Sequence, residues 1–82
     1  MTYLAVFRSR AQALDYLSGV KGAGVPAQAV STPKEAGVGC GISVKFDSQF
    51  LGRAKAVLAR RTYSSFSGFL ALNGGRFTYD RA

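Results

Sequence analysis

The sequence predicts an α+β domain of the ferredoxin-like type, a βαββαβ chain in which two helices cover one face of a four-stranded antiparallel sheet. The chain has 82 residues, enough for one domain, and 48% of them are hydrophobic, which supports a folded core. Segments with two-residue alternation also flank two segments with helical periodicity. We expect residues 1–72 to form this single domain. Residues 73–82 form a C-terminal tail, either loose or a further short strand.

The first strand, helix and second strand are predicted in the first half of the chain. Residues 2–8 are rich in side chains that favour β structure. Ser9 is a typical N-cap for a helix over residues 10–21, and Gly22 and Gly24 are expected to end it. The second strand is expected over residues 25–31. The predicted buried face of this helix consists of Ala13, Leu14, Leu17 and Val20.

The second half of the chain repeats this order. A loop rich in glycine and proline is predicted over residues 32–39. After Cys40-Gly41 comes a strand over residues 42–46, in which apolar and polar side chains alternate. Asp47 or Ser48 is expected to cap a second helix, and the last strand is predicted over residues 64–72. The predicted buried face of the second helix consists of Phe50, Leu51, Ala54, Val57 and Leu58.

The composition excludes several classes of site. Cys40 is the only cysteine and there is no histidine, so a disulfide framework and a zinc site are both excluded. The commonest general base is also absent. We therefore predict no metal and no cofactor, and a binding or carrier module in place of a self-sufficient enzyme.

Charge and hydropathy indicate the kind of environment and partner. Eleven Lys and Arg residues against four Asp and Glu residues give a net charge of +7, which attracts nucleic acid, acidic membranes or acidic proteins. No apolar run approaches the roughly 20 residues of a membrane span. The first residues lack the basic and apolar pattern of a signal peptide. We expect a cytoplasmic protein that does not enter the membrane.

The stretch from residue 33 to residue 46 resembles a family of small bacterial domains, once catalogued as a domain of unknown function and described as selenium/sulfur carrier proteins. The resemblance extends from about residue 3 to residue 70. Where the family more often has serine-like residues before its cysteine, this chain has glycine and valine. The pairs that carry the resemblance are Pro33-Lys34, Cys40-Gly41 and Phe46-Asp47.

The resemblance implies that Cys40 carries sulfur or selenium, with residues 33–39 as its cradle. Donor and acceptor proteins would then be the partners, and catalysis would belong to them. Independently of the family, backbone N–H groups around Gly39 and Gly41 can form an anion-binding nest. The predicted topology brings basic residues to the same end of the domain, where they favour a thiolate. These residues are Arg8, Arg10, Lys34, Arg60 and Arg61.

A structural role for Cys40 is the alternative. It shares the strand alternation of Val44 and Phe46, so it points toward the helices unless Gly41 introduces a bulge. Cysteine is among the most buried residue types, and Cys40 would then be a small core side chain.

Nucleic-acid binding is a second functional hypothesis. If Leu4 and Val6 face the helices, Tyr3 and Phe7 lie on the open sheet face with Lys45. Aromatic side chains with basic neighbours on a sheet can stack bases. The same surface would equally serve a homodimer interface.

Overall fold

The structure is a computed structural model that describes residues 2–33, 41–61, 63–73 and 76–80, with the backbone alone for residue 73 and residues 76–80. It contains five strands and two helices. A short 3-10 helix, Ser48–Phe50, precedes the second helix. The strands are β1 Thr2–Phe7, β2 Ala27–Ser31, β3 Ile42–Asp47, β4 Phe66–Asn73 and β5 Arg76–Asp80, and the helices are α1 Arg10–Gly22 and α2 Leu51–Arg60.

All neighbouring strands pair antiparallel, in the order β2-β3-β1-β4-β5. The first four strands and the two helices follow the predicted βαββαβ order, so the ferredoxin-like prediction is confirmed. The stretch left open as a loose tail or a short strand contains β5, which pairs with β4 from Asn73↔Arg76 to Phe69↔Asp80. The sheet therefore has a fifth strand at its β4 edge.

The two sheet faces have separate cores. Ala5 and Phe7 belong to the larger cluster, which also contains the buried side chains of both helices. Leu4 and Val6 form a second cluster with Leu70. Because successive side chains of a strand point to opposite faces, this second cluster lies on the face away from the helices.

This arrangement corrects the predicted facing of β1. Tyr3 and Phe7 were expected on the open face, but both pack in the helix-side cluster. The ring of Tyr3 stacks on Phe46 with centroids 6.0 Å apart. Because side chains alternate along a strand, those of β1 point to opposite faces of the sheet. Apolar residues occur on both faces, so the pattern alone does not identify the face that the helices cover. Base stacking by Tyr3 and Phe7 on an open face is therefore excluded.

The predicted buried face of α1 is wrong at one residue. Leu14 is 42% exposed, whereas Tyr16 is fully buried with Ala13 and Val20. Tyr16 tolerates burial because its hydroxyl donates a hydrogen bond of 2.7 Å to the Ala54 carbonyl of α2. A polar group satisfied by another element is not visible in the local apolar pattern.

A Schellman motif ends α1 and delays the second strand. The N–H of Val25 donates to the Val20 carbonyl at 3.0 Å, and the N–H of Gly24 donates to the Lys21 carbonyl at 3.0 Å. Gly24 has φ of +86°, which L side chains adopt at a cost. Val25, predicted in β2, is instead buried as the hydrophobic residue that closes this motif.

Alanine substitutions at the end of α1 are expected to change stability in opposite directions. Gly24→Ala should lower the free energy of unfolding by about 1–2 kcal/mol, because it forces a side chain into the left-handed region. Gly22→Ala should raise it by about 0.5–1 kcal/mol, since Gly22 is helical and its Cβ position is open. Urea unfolding of both variants tests this. Equal effects of the two substitutions would contradict the motif.

The second half of the chain departs from the prediction mainly at element ends. Asp47 makes no side-chain capping hydrogen bond, and the 3-10 helix precedes α2. The predicted apolar face of α2 is confirmed, since each of its members is buried or packs on the main cluster. β4 begins at Phe66, not at Ser64, because the Phe66 N–H donates to the Tyr63 carbonyl in a turn. Neither α1 nor α2, the described helices, has the length and apolar character of a membrane span.

Candidate functional site

The predicted site lies at the end of the sheet where β1 finishes and β3 begins. Val6 pairs with Ser43. Continuing this register by two residues places Arg8 and Gly41 beyond this end of the two strands. The N-terminus of α1 follows directly at Arg10. Gly41, Arg8 and Arg10 are described by the structure, whereas three of the predicted site residues lie outside the described residues. Those three are Lys34, Gly39 and Cys40.

Gly41 is exposed and has an unusual backbone conformation. Its φ is +92°, which favours glycine. Its carbonyl accepts a hydrogen bond of 3.0 Å from the Thr32 N–H, so the ends of the intervening segment are joined at β2 and β3. Apart from its chain neighbours, no described atom lies within 4 Å of its Cβ position. The alternation of β3 therefore cannot be extended through Gly41, and none of the described residues fills the space beside it.

A pair of hydroxyl groups adds a second contact between the chain just after β2 and the start of β3. The hydroxyls of Thr32 and Ser43 are 2.7 Å apart and share a hydrogen bond. Ser43 is fully buried, and no described buried side-chain polar atom lacks a partner. Since a buried hydroxyl without a partner is costly, the pair favours one spacing of the β2 and β3 ends. It fixes the position of Thr32 relative to the start of β3.

Arg8 is held on the β4 side of this end. Its backbone N–H donates to the Ser65 carbonyl at 2.9 Å, and its guanidinium donates to the Ser64 carbonyl at 3.4 Å. Arg10 is exposed in the first turn of α1. Arg8 and Arg10 thus lie at the same end of the domain as Gly41, as the topology predicted.

The N-terminus of α1 has a modified capping box. Ser9 caps the helix as predicted, accepting from the Gln12 N–H at 3.3 Å. In the usual box, Gln12 would accept from the Ser9 N–H. Here the Ser65 hydroxyl accepts from the Ser9 N–H at 3.2 Å and donates to Gln12 Oε1 at 2.8 Å. The turn before β4 therefore completes the cap.

Arg60 and Arg61 line one pocket but differ in their charged partners. Arg61 Nη1 is 2.7 Å from Asp15 Oδ2, which also accepts from the Tyr63 hydroxyl at 2.7 Å. The Tyr63 hydroxyl and then the Arg61 guanidinium hold the pKa of Asp15 below its usual value. Arg60 lines the same pocket beside Gly22 and the end of α1, but it pairs with no described carboxylate. The charge of Arg61 is thus largely compensated.

The described residues contain no cluster of three or more metal-ligating side chains. Sequence reasoning did not identify Gln12 or Ser65 as part of this end of the domain. The spacing of Ser9 and Gln12 is a capping-box signature that could have indicated Gln12. Ser65 is 53 residues from Gln12, and no local pattern connects them.

Comparison with known proteins adds one finding. The model of the family described as "Putative Se/S carrier protein-like" matches residues 2–64. This range includes both helices, the first three strands and the single cysteine. No curated protein and no solved structure matches the chain.

Proposed function

Because this chain belongs to the Se/S carrier protein-like family, we propose that it carries sulfur or selenium on Cys40 and passes it to a partner protein. The Cys40 thiolate attacks the outer sulfur of a donor persulfide. A new S–S bond forms as the donor's S–S bond breaks, and the donor thiolate leaves with the electron pair. An acceptor thiolate repeats the step on the loaded Cys40. No external oxidant or reductant is consumed, and an outer selenium atom reacts in the same way.

The observation that carries this proposal is the environment of Gly41, the residue that follows Cys40. Gly41 is exposed, with open space beside it, at the end of the sheet where α1 begins. A carrier thiol must be reachable by two different proteins, and an open glycine neighbour removes steric cover. The Gly39 and Gly41 backbone would shape the cradle.

Positive potential at this end supports the thiolate form. Arg8 and Arg10 are both exposed here, and the N-terminus of α1 contributes the positive end of its dipole. Lys34 would add a further charge from the loop. A positive environment stabilises both a thiolate and the persulfide anion that replaces it.

The single cysteine requires that release be intermolecular. No second thiol exists in this chain to attack a persulfide on Cys40, so the acceptor must supply it. Donor and acceptor proteins are therefore obligatory partners of the carrier, and the chain alone completes no turnover. We propose that this exchange takes place in the cytoplasm.

Loading of Cys40 can be tested by intact-mass analysis. The protein is incubated with glutathione persulfide, desalted without reductant and weighed. We expect the mass of one added sulfur atom on the wild type, lost again on treatment with dithiothreitol. Cys40→Ala should fold normally and show no added sulfur, because its acceptor atom is gone.

Two controls make the result specific. Alkylating the wild-type thiol beforehand should prevent loading to the same extent as Cys40→Ala. Alkylation itself should proceed readily below about pH 8.5, the ordinary cysteine value. Unchanged sulfur loading of folded Cys40→Ala would refute the proposal, as would a wild-type thiol that no reagent reaches.

A further inference from the structure

A groove runs between the two helices, away from the Gly41 end. It combines two adjoining pockets of about 290 Å³ and 190 Å³, which share Ala23, Val57 and Arg60. We call it the helix groove. Its floor is Gly19, Gly22, Ala23 and Val57, and it is also lined by Arg53 and Arg60 of α2 and by Arg61, the C-cap of α2.

Small residues of α1 create this space. At Gly19 the helices are close, and an added Cβ would lie 3.2 Å from Val57 Cγ1. At Gly22 an added Cβ would meet no atom within 4 Å, so the groove opens toward the end of α1. Arg53 and Arg60 are seven positions apart on α2, which places them on one helix face about 10 Å apart along its axis.

Two of the three arginines that line the helix groove, Arg53 and Arg60, have no acidic partner among the described residues. Arg61, one position further, is paired with Asp15. Neither Arg53 nor Arg60 pairs with any carboxylate in the part of the chain that the structure describes, and both are exposed. Asp15 is also the only acidic residue of either helix. The helix layer therefore presents uncompensated positive charge beside a concave surface.

We infer that the helix groove binds an acidic segment of a partner protein, with two carboxylates about 10 Å apart contacting Arg53 and Arg60. A helical segment supplies this spacing with side chains seven residues apart, which lie on one face of the helix. Arginine suits such contacts because its planar guanidinium binds a carboxylate through two parallel hydrogen bonds.

A protein segment fits the helix groove better than nucleic acid. Glycine, alanine and valine form the floor, so no lining residue offers an aromatic surface on which a base could stack. The nearby ring of Tyr16 is fully buried, and the hydroxyl of Tyr63 is bound to Asp15. None of the residues that line the helix groove belongs to the proposed sulfur-carrying site, so this inference stands or falls independently of sulfur loading.

Fluorescence anisotropy with a labelled oligoglutamate peptide tests the helix groove. The double variant Arg53→Gln with Arg60→Gln should bind about tenfold more weakly than the wild type, as expected for two exposed charge pairs. The control is Lys45→Gln with Lys55→Gln, which removes the same charge elsewhere. Lys45 lies on the far sheet face, and Lys55 is about 200° around α2 from Arg53. Peptide binding by this control variant should weaken by less than about threefold.

Three outcomes would overturn the inference. Equal weakening of the two double variants would show attraction to net charge alone. Tighter binding of an oligouridylate of matched charge would assign the surface to nucleic acid. In the wild type, peptide-induced NMR shifts should include the Gly19 and Gly22 amides, and shifts confined to other residues would also refute the site. Urea unfolding of each variant checks that its fold is retained.

Discussion

Phe69→Ala is expected to lower the free energy of unfolding by about 3–5 kcal/mol, the usual cost of deleting a buried phenylalanine ring. Phe69 is fully buried in β4 and contacts three other rings. Its centroid lies 5.1 Å from that of Phe66, 5.9 Å from that of Phe46 and 6.4 Å from that of Tyr3. The substitution removes apolar burial and leaves a cavity that strands β1, β3 and β4 cannot close.

The effect should be a large fraction of the total stability, since a folded protein typically has only about 5–15 kcal/mol. Urea unfolding followed by circular dichroism gives the measurement. Leu14→Ala is the control, because it also truncates a large apolar side chain but one that is 42% exposed. It should change stability by less than about 1 kcal/mol. Similar losses in the two variants would show that Phe69 is not at the centre of the core.

Stability should also fall steeply at alkaline pH because of Tyr16. Burial, followed by the proximity of Tyr63, raises the pKa of Tyr16 above its ordinary value of 10.0. A pKa raised on folding contributes stability that is fully present below the unfolded value. That stability is lost as the pH rises from about 10 toward the folded pKa, at up to about 1.4 kcal/mol per pH unit.

Tyr16→Phe isolates this contribution. At neutral pH the variant should be about 0.5–1.5 kcal/mol less stable, because it loses the hydrogen bond to the Ala54 carbonyl. Above about pH 10 its stability should fall less steeply than that of the wild type, so that the two curves converge. Urea unfolding across this pH range measures the stability of the wild type and of the variant. Loss of lysine charge affects both proteins equally, so it does not contribute to the difference between them. Parallel curves would contradict a buried, protonated Tyr16.

Element order was predictable because it depends on local patterns. The alternation of Ile42, Val44 and Phe46 and the apolar face of α2 both appear in the structure. Ser9 was identified as a cap from its residue type and position. Errors concentrate at element ends, where hydrogen bonds to the next element decide. Val25 closes the end of α1, and Ser65 joins the turn before β4 to Gln12.

The candidate site was only partly predictable. The lone Cys40 and its flanking glycines could be identified without coordinates, and so could the family. The topology also predicted Arg8 and Arg10 at the same end of the domain as Cys40. The structure describes both arginines where β1 ends and α1 begins, whereas Cys40 lies outside the described residues. The different charged partners of Arg60 and Arg61 could not be predicted, because they depend on which α1 residues lie opposite them.

The sequence by itself determined the βαββαβ order, the excess of positive charge and the restriction of thiol chemistry to one cysteine. Tertiary structure alone decided that Tyr3 and Phe7 face the helices, that Asp15 neutralises Arg61 and that Arg53 and Arg60 line a groove. The physical reason is the distance along the chain over which each interaction acts. Periodicity and capping act over a few residues, whereas the covered face of a sheet and the partner of a charge depend on contacts between residues distant in the chain.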